Sequence, residues 1–136
     1  MEIAVVDGQG GGIGKALVEA LRAEFGGKVR ITALGTNAIA TAAMLRAGAD
    51  TGATGENAVA VCSAHSDVIV GSLGIIAADS MMGELTPRMA QAIASCGARK
   101  VLLPLNRCGL FVAGVSPRPV EQSISDAVET IRSFMG

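Results

Sequence analysis

A single α/β domain over residues 1–136, three-layered, with a mostly parallel sheet and an antiparallel edge strand, is the fold class that this sequence predicts. Three observations lead there. A strand-forming run, Glu2-Ile-Ala-Val-Val-Asp7, leads at once into Gly8-Gln-Gly-Gly-Gly-Ile-Gly14 and then into a helix. Strand-like and helix-like segments then keep alternating along the chain. Finally, 23 Ala and 18 Gly among 136 residues leave nearly a third of the chain almost without side chains. That composition lets helices lie close on a sheet and lets backbone approach a ligand.

The elements follow in order. Glu2–Asp7 is apolar on both faces, as a strand covered on both sides must be. Ile13, Leu17, Leu21 and Phe25 recur every four residues with Lys15, Glu19 and Arg22 on another face, so a helix runs to the stop at Gly26-Gly27. Val29 to Leu34 reads as the second strand. Asn37 caps a small-residue helix that reaches Ala47 and ends at Gly48. Between Gly48 and Ser66 a short strand near 49–53 is expected, while 58–62 reads either as a strand by its valines or as a helix opened by Thr54 or Asn57, the helix being favoured. Only four residues separate Cys62 from Asp67, too few for a parallel crossover had 58–62 been a strand. Asp67 to Gly71 is a strand, Thr86-Pro87 opens a helix to Cys96-Gly97, and Lys100 to Leu105 is another strand. The short connection from there to 110–115 predicts an antiparallel neighbour. A last helix follows Pro119, with Val120, Ile124, Val128 and Ile131 on its buried face.

Composition narrows the function classes. Eleven basic residues against twelve acidic ones give net −1 with no long run of either sign. Such a surface has no electrostatic footprint for duplex nucleic acid or an anionic membrane. With no Trp or Tyr, stacking platforms for single strands are scarce as well. No stretch approaches the roughly 18 uncharged apolar residues of a membrane span. Met1–Val6 carries no basic leader, and Cys62, Cys96 and Cys108 have neither C-x-x-C spacing nor a disulfide framework. The expectation is a cytoplasmic protein with reduced thiols and no nucleic-acid or membrane partner. Its Ala-rich helix faces would allow a homodimer.

The glycine-rich loop carries the functional reading. A strand turning tightly into a helix start presents unpaired N–H groups and a positive dipole end to an anion. A P-loop would need Gly at Gln9 and a hydroxyl at Ala16, so a magnesium-dependent NTPase is not expected. Asp7-Gly8-Gln9-Gly10-Gly11-Gly12-Ile13-Gly14 resembles the T-G-x-x-x-G-I-G loop of short-chain dehydrogenases/reductases, with Asp7 for Thr. Lys15-Ala-Leu-Val-Glu-Ala-Leu21 is similar to that family's first helix. The resemblance implies a Rossmann-like fold and a nucleotide on the loop, NAD(P) or another. The family's Tyr-x-x-x-Lys chemistry is excluded by the absence of Tyr. Over nearly its full length the chain also resembles a small bacterial family catalogued as a domain of unknown function. Asp7–Lys15, Ala33–Ala38, Gly52–Asn57, Gly83–Pro87 and Pro104–Cys108 carry that likeness.

In an open parallel sheet, ligands bind beyond the carboxyl ends of the strands. Those ends carry Asp7, Gly8, Gln9, Gly10, Gly11, Gly12, Ile13 and Gly14, then Thr36 and Asn37, Gly71 and Gly74, and Asn106 and Arg107. Arg107 can hold a phosphate or carboxylate. These residues predict a module that binds a nucleotide or another phosphate- or carboxylate-bearing small molecule. Two readings compete with it. One is an enzyme using Asp7, Asp79 or Glu84 as acid and base on a small phosphorylated or carboxylated substrate. The other is a structural or partner-binding domain whose loop is only a turn, with Asp7 capping the helix. Met81 and Met82 read as core or interface filler. Cys108 reads as a packed thiol and His65 as a residue of an exposed turn. No His, Cys and carboxylate set has metal-ligand spacing.

Overall fold

The computed structural model describes residues 1–105 and 109–136. Five strands form one parallel sheet in the order β3-β2-β1-β4-β5. They are β1 (Glu2–Asp7), β2 (Arg30–Gly35), β3 (Thr51–Thr54), β4 (Val68–Ser72) and β5 (Arg99–Leu103). The helices are α1 (Gly12–Phe25), α2 (Ala38–Arg46), α3 (Glu56–Ser63), α4 (Pro87–Ser95) and α5 (Val120–Phe134).

The alternation within β1 divides the core. Ile3 and Val5 face α1 and α5, joined by Leu17, Leu21, Ile31, Met44, Ile124 and Ile131. Ala4 and Val6 face α3 and α4, with Val59, Ile69, Leu85, Met89 and Ile93. The chain winds outward from β1 through β2 to β3 and returns through α3 to β4 on the other side of β1. That reversal opens a crevice between the carboxyl ends of β1 and β4, the place where open α/β sheets hold ligands.

Local signals set the helix ends. Asn37 Oδ1 accepts the Ala40 N–H at 2.9 Å to cap α2. Thr86 Oγ1 accepts from Met89 N–H at 3.2 Å to cap α4, with Pro87 in its first turn. At the opposite sheet end, Asp50 Oδ2 accepts both the Ile31 N–H (2.8 Å) and Arg22 Nη2 (2.7 Å), tying β3's approach to β2 and α1.

One expectation fails. Residues 110–115 form no strand, and the described sheet is parallel throughout, without an antiparallel edge. The valines there favour an extended run, but Gly109 (φ 70°) and Gly114 (φ 83°) turn into the left-handed region. Pro117 and Pro119, just beyond, have no N–H to offer a ladder. The segment instead crosses the surface with Phe111 77% exposed. The segment over 58–62 does lie in a helix, α3, and a short strand, β3, precedes it.

Leu21 is fully buried between α1 and the sheet. Leu21→Ala is expected to lower unfolding free energy by about 2–5 kcal/mol, read as an earlier denaturant midpoint with an unchanged slope.

Candidate functional site

The site grows from Asp7, the last residue of β1. Its buried carboxylate turns back onto the glycine loop: Gly8 N–H donates to Oδ1 at 2.8 Å and Gly14 N–H to Oδ2 at 2.7 Å. Helix α1 has no side-chain cap at its first residue. Asp7 supplies that function from seven residues upstream, and its charge lies favourably at the positive end of α1. Gly11 N–H closes the turn on Gly8 O at 3.0 Å.

The glycines of the loop are not equivalent. A Cβ on Gly8 would come within 2.5 Å of Thr36 Oγ1, and one on Gly14 within 2.6 Å of Met44 Sδ. Gly11 has φ 75° and a Cβ there would sit 2.8 Å from the Ala40 backbone. Packing therefore requires these three. At Gly10 and Gly12 an added Cβ meets nothing within 4 Å, and both are exposed. Among the described residues, no acceptor reaches the N–H groups of Gly10, Gly12 and Ile13.

Glu84 clamps the loop from the β4–α4 connection. Its Oε1 accepts from Gln9 N–H (2.8 Å), Thr36 Oγ1 (2.7 Å) and Asn37 Nδ2 (2.8 Å). These donors, Gln9 N–H foremost, hold its carboxyl below the ordinary glutamate value against the opposing effect of burial. Asn37 Nδ2 also donates to Gln9 O at 2.9 Å. Thr36 and Asn37 thus serve the protein's own network.

Two adjoining hollows meet at the crevice between β1 and β4. One, of about 170 Å³, is lined by Asp7, Gln9, Ile13, Ser72, Gly74, Met81, Met82 and Leu105. The other, a groove of about 400 Å³, runs along Asp7–Ile13 and is walled by Ala16 and α5 residues Val120, Glu121 and Ile124. The structure brings Asp7, Gln9, Ile13 and Gly74 to the hollows and Gly8, Gly10, Gly11 and Gly12 to the groove. Gly14 lies buried behind the loop. Gly71 is buried inside β4, where a Cβ would meet Val6 O at 2.7 Å. Asn106, Arg107 and Cys108 lie outside the described residues. Ser72, the Met81–Met82 pair and the α5 wall were not among the sequence-derived candidates. Met82 is 94% exposed, so it is not core filler. His65 is exposed in a turn, as expected.

Comparison with known proteins agrees with this architecture. Residues 2–136 match the family described as "Domain of unknown function (DUF3842)", and the chain belongs to it. No curated protein matches the chain. Among solved structures it is similar to a dodecameric FMN-dependent UbiX-like decarboxylase from Escherichia coli O157:H7. The TM-score is 0.52 at 18% identity, covering 100% of this chain and 95% of that one, a likeness of fold. No helix among the described residues is long and apolar enough to cross a membrane.

Gly11→Ala should destabilise by about 1–3 kcal/mol, whereas Gly12→Ala, in a helix's first turn with open space, should be neutral or stabilising in thermal melts. Glu84→Ala leaves three donors without their acceptor and should cost about 1–2 kcal/mol, the low end because the carboxylate is only half-buried. Its pH dependence has a definite sign. The folded state holds the Glu84 proton less tightly than the unfolded chain does, so its contribution is complete above about pH 4.5 and lost as pH falls through the folded value. Asp50, lowered by Ile31 N–H and Arg22, adds loss of the same sign from about 3.8 downward. Glu84→Gln should flatten the upper part of that acid limb in denaturation series.

Proposed function

We propose that this protein binds a phosphate-bearing small molecule of the mononucleotide type in the crevice between β1 and β4, with flavin mononucleotide as the first candidate. The observation that carries the reading is the pair Gly10 and Gly12. The fold has no packing need for glycine at either position, and both leave backbone N–H groups open at the start of α1. Such donors with the helix dipole behind them suit a phosphate. Asp7 takes the Gly14 donor and adds negative charge to the floor. A ligand with hydroxyls beside its phosphate can donate to that carboxylate, which favours a phosphorylated polyol chain over a bare anion. The ribityl phosphate of FMN has that chemistry, and the similar solved structure is of an FMN-dependent enzyme. A dinucleotide such as NAD(P) gains less support, since Thr36 and Asn37 already bond Glu84.

The role proposed is binding. Of the three carboxylates weighed as acid and base, Asp7 alone lines the hollows, while Asp79 is exposed and Glu84 clamps the loop. We also propose a homo-oligomer, for which the exposed side chains of Phe111, Val112 and Val115 offer an apolar surface.

Thermal melting with added FMN tests the binding reading. At about 100 times its Kd a ligand adds roughly 2.7 kcal/mol, several degrees for a domain of this size. Gly12→Glu puts a carboxylate on the anion seat while suiting the first turn of α1. It should abolish the shift without lowering the unliganded melting temperature. No shift with wild-type protein would contradict the reading. Light scattering should give a mass that is a multiple of the 13.6 kDa chain, and 13.6 kDa itself would contradict the oligomer.

A further inference from the structure

We infer that Met82 is a specificity-determining residue, selecting an anion that carries a flat aromatic group; this rests on the proposed anion seat. The turn after β4 is unusual. Asp79, Met81 and Met82 all have positive φ (65°, 57° and 57°), followed by Gly83 at 89°. A residue with a bulky side chain takes this conformation only against a steric penalty that glycine escapes.

The surrounding bonds hold the turn in place. Asp79 N–H donates to Leu85 O (2.8 Å), Leu85 N–H to Ser80 O (3.2 Å) and Ser80 Oγ to Gly74 O (2.6 Å), with Ser80 and Leu85 buried beneath. Met82 therefore stands on a rigid stalk. Its side chain gives the folded chain almost nothing in return, being 94% exposed, yet it borders the smaller hollow. Together with Met81, Ile13 and Leu105 it makes that hollow's rim apolar. Met81 lines the hollow too, but its Sδ also packs against the glycine loop, 2.8 Å from where a Gly8 Cβ would be. Thioether sulfur and a flexible chain suit the face or edge of an aromatic ring.

The Glu84 bond to Gln9 N–H fixes this turn to the glycine loop, so platform and anion seat keep one spacing. A single ligand can then span both, its ring against Met82 and its anion at Gly10–Ile13.

Titration calorimetry with inorganic phosphate and 1-naphthyl phosphate tests this. Wild-type protein should bind the naphthyl ester about tenfold more tightly than phosphate. Met82→Gly should lose that advantage, keep its phosphate affinity and melt no lower, because strain is relieved. Met82→Leu should retain most of the advantage. An advantage that survives in Met82→Gly, or is absent from wild type, overturns the inference. Failure of the anion seat itself looks different, since Gly12→Glu would then change the affinity for neither ligand.

Discussion

The Asp7 carboxylate is the interaction around which the carboxyl edge of the sheet is organised. By accepting from Gly8 and Gly14 it curls seven residues into a closed loop and caps α1 at the same time. It is a short-range device with long-range consequences. The loop it fixes contacts α2 through Gly11, Thr36 through Gly8 and Met44 through Gly14, so any side chain at these glycines would push whole elements apart. Strand β1, central in the sheet, is thereby joined rigidly to the helix it feeds.

Glu84 extends the same logic across the crevice. One carboxylate oxygen gathers donors from the glycine loop and from the turn after β2, and brings along the strained turn that carries Met81 and Met82. Polar groups that elsewhere could meet a ligand are here committed to holding three loops in register. What is left for a ligand is mostly backbone: N–H groups at the start of α1, with Asp7 below and an apolar rim opposite. The ligand proposed for it is accordingly anionic at one end and apolar at the other.

Much of the fold was legible because its signals are local and redundant. The four-residue spacing of Ile13, Leu17, Leu21 and Phe25, the Asn37 cap and the Thr86-Pro87 start each specify an element without help from distant contacts. Residues 110–115 were misread because β-branched residues register as strand even where left-handed glycines break the run. The glycine loop was legible as a place, but not which glycines face outward, since that depends on Thr36, Ala40 and Met44 arriving from elsewhere. Glu84 was weighed as an acid or base, and its role as a clamp came from a contact 75 residues away in sequence, with Gln9. Met82 gave no periodic signal, since it stands in a turn whose positive-φ backbone sequence pattern does not encode.

The proposed anion seat uses the N–H groups of Gly10, Gly12 and Ile13, while Gln9 and Gly14 are already bonded within the protein. Amide-resolved ¹H–¹⁵N NMR during titration with inorganic phosphate at constant ionic strength tests it most directly. Anion binding at this seat should give saturable shifts concentrated at Gly10, Gly12 and Ile13, with Gln9 and Gly14 nearly still. Shifts centred on another part of the surface, or none at the loop, would contradict it.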